Sequence, residues 1–142
     1  ETWCDETGYS AFLFRATDRD GEPIYHTNVV MSVGSKLAVV CDESISDLED
    51  REHLISMLQQ NDRTVIRITM EQMGSFCGNI LELVDQDSNT IFAMSSRAFA
   101  GFTAQQQQVM RQLGKIVHVP IPTIENVGGG SVRCMIAEVG RA

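Results

Sequence analysis

The sequence predicts a partial α/β domain over residues 1–142, built from repeated strand–strand–helix–strand units. Apolar runs that start near residues 28, 79 and 131 lie about fifty residues apart, and the same order of elements follows the first two starts. The composition is that of a globular protein, with 43% hydrophobic and 21% charged residues. About two and a half units are present, and we expect further chain or a second copy of the protein to cover their open faces.

The first unit is defined by two apolar runs, a helical pattern and a third apolar run. Strands are predicted over residues 28–33 and 37–41, and a closing strand over residues 64–69. Between them, Ser46 is a candidate N-cap because Glu49 follows three residues later, as in a capping box. Upstream of this unit, residues 11–14 are predicted to be the closing strand of a preceding unit.

The second unit repeats this order. Strands are predicted over residues 79–84 and 90–94, separated by a turn rich in Asp, Ser and Asn. Thr103 is the candidate N-cap of the helix, and Gly114 is expected to end it. A closing strand is predicted over residues 115–119.

A glycine-rich segment leads into the third unit, of which only a first strand is predicted, over residues 131–136. Gly128, Gly129 and Gly130 allow strained turns and close approach of the backbone to a ligand. Cys134 follows near the start of the strand, and this position favours the mouth of a site. By composition alone, a buried structural cysteine after a glycine-rich loop is the simpler interpretation.

A histidine occupies a related place in the first unit. His26 immediately precedes the first unit start, as Cys134 lies just inside the third. If equivalent unit starts converge on an axis, the two side chains meet despite their separation in the chain. A cysteine and a histidine are the minimum needed for covalent attack, since one supplies a thiolate and the other carries a proton. Without this pairing, His26 would be interpreted as an ordinary polar residue.

Composition also excludes some classes of function. A net charge of −8 disfavours a nucleic-acid surface, and no apolar run is long enough to cross a membrane. The cysteines are widely spaced and form no C-x-x-C pair, which argues against a zinc site and a disulfide framework. We therefore expect no metal or other cofactor, and free thiols in a reducing, cytoplasmic compartment. The four cysteines are Cys4, Cys41, Cys77 and Cys134.

Five segments, taken together, resemble a known family. They resemble the signature blocks of arginine-deiminase-related, amidinotransferase-like proteins of the guanidino-group-modifying (pentein) superfamily, most of all its citrulline-hydrolysing (citrulline ureidase) branch. The resemblance implies a five-bladed α/β propeller of which this chain forms the carboxy-terminal half. The glycine-rich cysteine segment is the most specific of the five. They cover residues 26–29, 78–83, 94–99, 121–125 and 128–135.

The resemblance also implies roles for individual residues. Cys134 matches the family nucleophile, which attacks the central carbon of a guanidino or ureido group, and His26 matches the general acid and base. The backbone at Gly129 and Gly130 is expected to help hold the substrate. Asn28 stands where arginine deiminases carry an aspartate. Because an amide cannot neutralise a guanidinium, this difference favours a neutral ureido substrate such as citrulline over arginine.

Two functions stay open from the sequence. The first is a hydrolase acting on the C–N bond of a small guanidino or ureido molecule, completed by upstream chain or by a homo-oligomer. The second is an inactive pentein fragment that serves as a binding or oligomerisation module. The second is open because the substrate-anchoring carboxylates of the family lie upstream of the histidine. Asp18 and Asp20 are no replacement, since they belong to a segment that is predicted to be a surface turn.

Overall fold

Two small sheets with the same topology form the frame of the protein. The computed structural model describes residues 2–24, 26–60 and 62–137. In each sheet the first two strands are antiparallel and the third lies parallel to the second. The first sheet contains β1 (Met31–Val33), β2 (Leu37–Val40) and β3 (Thr64–Arg67). The second contains β4 (Leu81–Val84), β5 (Thr90–Ser95) and β6 (Lys115–Val119).

Helices connect the parallel strands of each sheet, because a parallel pair needs a long crossover. Helix α3 (Leu48–Gln59) joins β2 to β3, and α6 (Ala104–Leu113) joins β5 to β6. The strand–strand–helix–strand unit and the α/β fold class are thereby confirmed. Short helices at other positions complete the elements: α1 (Thr2–Thr7), α2 (Thr27–Val30), α4 (Met70–Gly74), α5 (Ser96–Gly101) and α7 (Val132–Met135).

The units begin differently from the sequence prediction. Residues 28–30 form the helical turn α2, and the first strand starts only at Met31. The strand predicted over residues 131–136 is wrong, because α7 is a helical turn there and the Cys134 amide donates to the Ser131 carbonyl at 3.0 Å. The first and third units therefore both start with a helical turn. The sequence did not predict this turn, because the same apolar residues are also typical of a strand.

Residues 11–14 do not form the predicted closing strand. No neighbouring strand is present to pair with them in the described chain, and Leu13 is 85% exposed. Phe12 instead stacks on His53 with ring centroids 5.0 Å apart, which ties the segment to α3. The first sheet-like contact of this region is an isolated antiparallel bridge between Ala16 and Ile45.

Side-chain caps fix the starts of the helices. Thr103 is confirmed as the N-cap of α6, with a complete capping box to Gln106. The predicted cap of α3 is wrong by one residue, because Asp47 and not Ser46 accepts from the amides of Glu49 and Asp50, at 2.9 and 3.0 Å. A carboxylate accepts these helix amides more strongly than a hydroxyl and also suits the positive end of the helix dipole.

The core lies between the middle strands and the helices. All four residues of β2 are buried, and Phe92, Met94 and Met110 are 1% exposed or less. Cys41 and Cys77 are fully buried and belong to this core. Burial raises the pKa of the Cys41 thiol to about 11 and that of Cys77 to about 12, so both stay protonated near neutral pH. No helix of the described chain is long and apolar enough to span a membrane.

Two glutamines join the units. Gln72 completes a capping box on Thr69 at the start of α4, and Gln106 does the same for Thr103. The Gln72 Nε2 donates to Gln106 Oε1 at 2.7 Å, and Gln106 Nε2 donates to the Arg67 carbonyl at 3.0 Å. Because each glutamine caps its own helix and also binds the other unit, the pair couples the helix starts to the packing of the two units.

We expect Gln106→Ala to lower the free energy of unfolding by about 1–3 kcal/mol, because it removes a cap bond, one of the partners of Gln72 and the donor to the Arg67 carbonyl. Urea unfolding followed by circular dichroism measures this change. Gln105→Ala is the matched control, since Gln105 is exposed on the same helix and makes no such bonds. Equal unfolding midpoints for the two variants would show that the glutamine pair does not couple the units.

Candidate functional site

The three unit starts converge on one sulfur atom. Cys134 is exposed, and its Sγ lies 3.5 Å from Asn28 Nδ2 and 3.2 Å from Asn79 Nδ2. These residues are 106 and 55 positions away in the chain, so only the packing of the units brings them together. Amide N–H groups that point at sulfur stabilise the thiolate, which is the nucleophilic form of cysteine.

Asn79 is the site residue that the sequence interpretation missed. Its side chain is buried, and Nδ2 also donates to the Asn28 carbonyl at 3.0 Å, which locks the first unit to the second. With the thiol protonated, Cys134 can instead donate to Asn79 Oδ1, at 3.5 Å. The signal for this residue was present, because Asn28 and Asn79 are both asparagines at the first position of their units.

The glycine-rich loop makes room for the cysteine. A Cβ atom at Gly130 would lie 3.1 Å from Cys134 Cβ and 3.2 Å from Sγ. Gly129 has a φ of 68°, in the left-handed region that favours glycine. Next to these glycines, the buried Ser131 hydroxyl donates to Glu125 Oε1 at 2.9 Å, which anchors the loop to the preceding π-helical turn, Ile124–Gly128.

His26 lies at the start of the segment that carries Asn28. It is the N-cap residue of α2, its side chain is exposed, and its carbonyl accepts from the Val29 amide at 3.0 Å. The structure thus brings Asn28 to Cys134 and places His26 two residues earlier on the same segment. The pairing of His26 itself with Cys134 stays a prediction.

The acidic residues upstream of His26 form a turn, as predicted. The Asp18 carboxylate accepts from the amides of Asp20 and Glu22, both at 2.9 Å, and these two side chains are exposed. Within the described parts of the chain, no group of three His, Cys, Asp or Glu side chains is placed to hold a metal ion. The contacts of Asn28 and Asn79 with Cys134 are therefore the best candidate for a catalytic site among the described residues.

We expect Asn79→Asp to slow alkylation of Cys134 by iodoacetamide about tenfold at pH 8, because a carboxylate beside the sulfur opposes the thiolate. The rate is followed by intact mass. Asn126→Asp is the matched control, since Asn126 is exposed and its side chain contacts Arg97, not the cysteine. An unchanged rate in Asn79→Asp, with circular dichroism showing a folded protein, would mean that Asn79 does not govern the thiol.

Comparisons with known proteins identify the family and the fold. The family described as N,N dimethylarginine dimethylhydrolase, eukaryotic, matches residues 1–141. Among solved structures, the chain is similar to apo ArgZ, an arginine dihydrolase from the ornithine-ammonia cycle in Cyanobacteria, with 13% identity and a TM-score of 0.58. The match covers 94% of this chain and 27% of ArgZ, so the chain spans about a quarter of that structure. A search of curated proteins finds no match.

At this identity, the likeness to ArgZ shows the fold alone, and that fold is the pentein fold whose repeated units the two sheets display. The family match carries more, because it extends over residues 1–141, which is nearly the whole chain. The resemblance to the guanidino-group-modifying superfamily is thereby confirmed. This chain belongs to the family of eukaryotic N,N-dimethylarginine dimethylhydrolases.

Proposed function

We propose that this chain carries the nucleophile of a cysteine hydrolase that cleaves the C–N bond of a guanidino or ureido group. The observation that supports this most is the exposed Cys134 sulfur, held between the side-chain amides of Asn28 and Asn79. The matching family is named for hydrolysis of dimethylarginine, and ArgZ is an arginine dihydrolase, which supports the same substrate class.

The chemistry proceeds in two halves. The Cys134 thiolate attacks the central carbon, forming a C–S bond, while His26 protonates the nitrogen that leaves as the C–N bond breaks. His26 then takes a proton from water, whose oxygen attacks the same carbon, and the C–S bond breaks to return the thiolate. No oxidant or reductant is needed, since the net change is the addition of water across a C–N bond.

The neighbours of the sulfur suggest the substrate. Asn28 is neutral and lies 3.5 Å from Cys134 Sγ, so its amide is close to any carbon that the sulfur attacks. A neutral amide can bond a ureido oxygen or nitrogen without a charge to balance, whereas a buried guanidinium needs a compensating carboxylate. We therefore propose a citrulline-like ureido substrate before an arginine-like one, with the backbone of Gly129 and Gly130 lining the attack position.

A second candidate function is a binding or oligomerisation module that does not turn over substrate. The observation that favours it is coverage, because the chain spans 27% of ArgZ. A second copy of the chain could supply further units of the fold, so we propose a homo-oligomer as the alternative to upstream sequence. The four free cysteines support a reducing location such as the cytoplasm.

Selective labelling with 2-chloroacetamidine distinguishes the two functions, with iodoacetamide as the plain-thiol control. The amidine is a planar cation like a guanidinium, so an assembled site draws it to one cysteine. We expect labelling at Cys134 at pH 8, and none at Cys41 or Cys77, because burial raises the pKa of both thiols and hides them from solvent. Peptide mapping identifies the labelled residue.

The rate ratio between the two reagents decides the outcome. The ratio of the labelling rate with 2-chloroacetamidine to that with iodoacetamide is compared between Cys134 and Cys4. A higher ratio at Cys134 supports a hydrolase site that recognises the planar amidine. Labelling without that preference, together with no protection of Cys134 by L-citrulline, would favour the binding module, since it would show a reactive thiol that recognises neither an amidine nor a ureido group. L-Citrulline and L-arginine added as competitors then rank the two substrates by the protection that they give.

A further inference from the structure

A carboxylate is buried beside the glycine-rich loop that leads to Cys134. Glu125 belongs to the π-helical turn Ile124–Gly128 and is 5% exposed, whereas its neighbours Ile124 and Asn126 are exposed. Removing a carboxylate from water is costly unless the protein supplies hydrogen bonds to it. The two-step chemistry proposed above assigns no role to this side chain, so its burial calls for a separate explanation.

Ser131 is the partner that the structure gives to Glu125. Its side chain is buried, and its hydroxyl donates to Glu125 Oε1 at 2.9 Å. Ser131 is also the N-cap residue of α7, where a serine hydroxyl ordinarily accepts from an amide of the first helical turn. In α7, all of whose residues the structure describes, the Ser131 side chain makes no such capping bond. The hydroxyl therefore serves the glutamate and not the helix, and the charged acceptor strengthens the bond.

This bond closes the glycine-rich loop. It joins residues six positions apart, and Gly128, Gly129 and Gly130 lie between them. Glycines contribute no side chains that could anchor the loop, and their backbone has more freedom than that of other residues. The bond between Glu125 and Ser131 thus holds the two ends of a loop that its own sequence leaves free to move.

The far end of the loop is attached directly to the sulfur-bearing residue. The Ser131 carbonyl accepts from the Cys134 amide at 3.0 Å, and a Cβ atom at Gly130 would lie 3.2 Å from Cys134 Sγ. The same sulfur lies 3.2 Å from one asparagine amide and 3.5 Å from the other. A displacement of the loop by about 1 Å would break at least one of these contacts, because hydrogen bonds weaken steeply with distance.

We propose that Glu125 is a positioning residue, which acts through the Ser131 hydroxyl to hold the Cys134 sulfur in contact with its two asparagines. The role requires a hydrogen-bond acceptor and not a negative charge, so a neutral acceptor of the same shape can replace the carboxylate. The inference rests on the proposed function only in taking Cys134 as the reactive thiol, and it does not depend on the substrate.

Alkylation of Cys134 by iodoacetamide at pH 8 tests this role in the 142-residue chain, with rates obtained by peptide mapping. We expect Glu125→Ala and Ser131→Ala to slow the reaction equally, by about fivefold or more, since each removes the same bond. Glu125→Gln should react within about twofold of the wild-type rate, because its amide oxygen still accepts from the serine hydroxyl. A wild-type rate in Glu125→Ala, or a rate in Glu125→Gln as low as in Glu125→Ala, would overturn the proposal.

A double variant tests whether the two residues act as one unit. Glu125→Ala combined with Ser131→Ala should react no more slowly than either single variant, because the second change has no bond left to remove. Losses that multiply would contradict the proposal, since they would show two independent effects. Ser131→Ala removes a single hydroxyl, so it decides the question even if Glu125→Ala fails to fold.

Ser44→Ala is the matched control for a general loss of stability. Ser44 is 1% exposed, and its hydroxyl donates to the Cys41 carbonyl at 2.7 Å. Its replacement should lower the unfolding midpoint in urea and leave alkylation of Cys134 unchanged, whereas equal slowing in Ser44→Ala and Ser131→Ala would overturn the positioning role. Absence of amidine preference in the wild type contradicts the hydrolase but leaves these rate comparisons intact, so the two proposals fail independently.

Discussion

Replacement of Cys134 by serine is expected to abolish hydrolysis of the preferred substrate, with a loss of roughly 10³-fold or more, because a hydroxyl beside neutral amides is a far weaker nucleophile than a thiolate. The neighbouring bonds survive the change, since Asn28 and Asn79 can donate to a serine oxygen as they do to the sulfur. Turnover of L-citrulline, L-arginine and dimethylarginine is measured by product formation, on the assembly that labels with 2-chloroacetamidine.

Cys4→Ser is the matched control for Cys134→Ser. Cys4 lies in α1, whereas the side chains of Asn28 and Asn79 donate to Cys134, so replacement of Cys4 should leave turnover and amidine labelling intact. Unfolding midpoints of the two variants should agree, which separates loss of the nucleophile from loss of the fold. Turnover that persists in Cys134→Ser at the wild-type rate would remove the central claim, since no covalent sulfur intermediate could then form.

The second unit could be predicted from the sequence because its signals are local. Thr103 and Gln106 cap a helix through bonds three residues apart, and the strand over Lys115–Val119 follows the glycine that ends the helix. Each of these elements depends on neighbours in the chain. The start of α7 could not be predicted in this way, because the apolar run of residues 131–136 is equally compatible with a short strand and with one helical turn.

The residues of the candidate site also differ in whether the sequence could predict them. Cys134 was singled out by the glycine-rich segment before it and Asn28 by the family resemblance, and the structure places Asn28 Nδ2 3.5 Å from Cys134 Sγ. Asn79 was missed, since its role is defined by a sulfur 55 positions later and a carbonyl 51 positions earlier. Sequence motifs therefore indicate which segments contribute to the site, whereas tertiary packing determines which side chains come into contact.

The contact between the two unit starts makes the strongest prediction about the fold. Gly78 precedes Asn79, and a Cβ atom at this position would lie 2.4 Å from the Val29 carbonyl oxygen. Since the obstacle is backbone, no side-chain rotation relieves it, and the units must separate. We expect Gly78→Ala to cost roughly 1–3 kcal/mol of unfolding free energy, measured by urea denaturation, and to slow labelling of Cys134.

Gly74→Ala separates this effect from a general intolerance of alanine. Gly74 ends α4 with nothing within 4 Å of an added Cβ, so alanine there should be neutral or slightly stabilising. If Gly78→Ala unfolds at the same urea concentration as Gly74→Ala, the close approach at Val29 is not needed for stability. If it is destabilised yet labels at the wild-type rate, the asparagines reach the sulfur without that approach. Loss of both properties together is expected, because one backbone contact holds Asn28 and Asn79 in the positions where they meet Cys134.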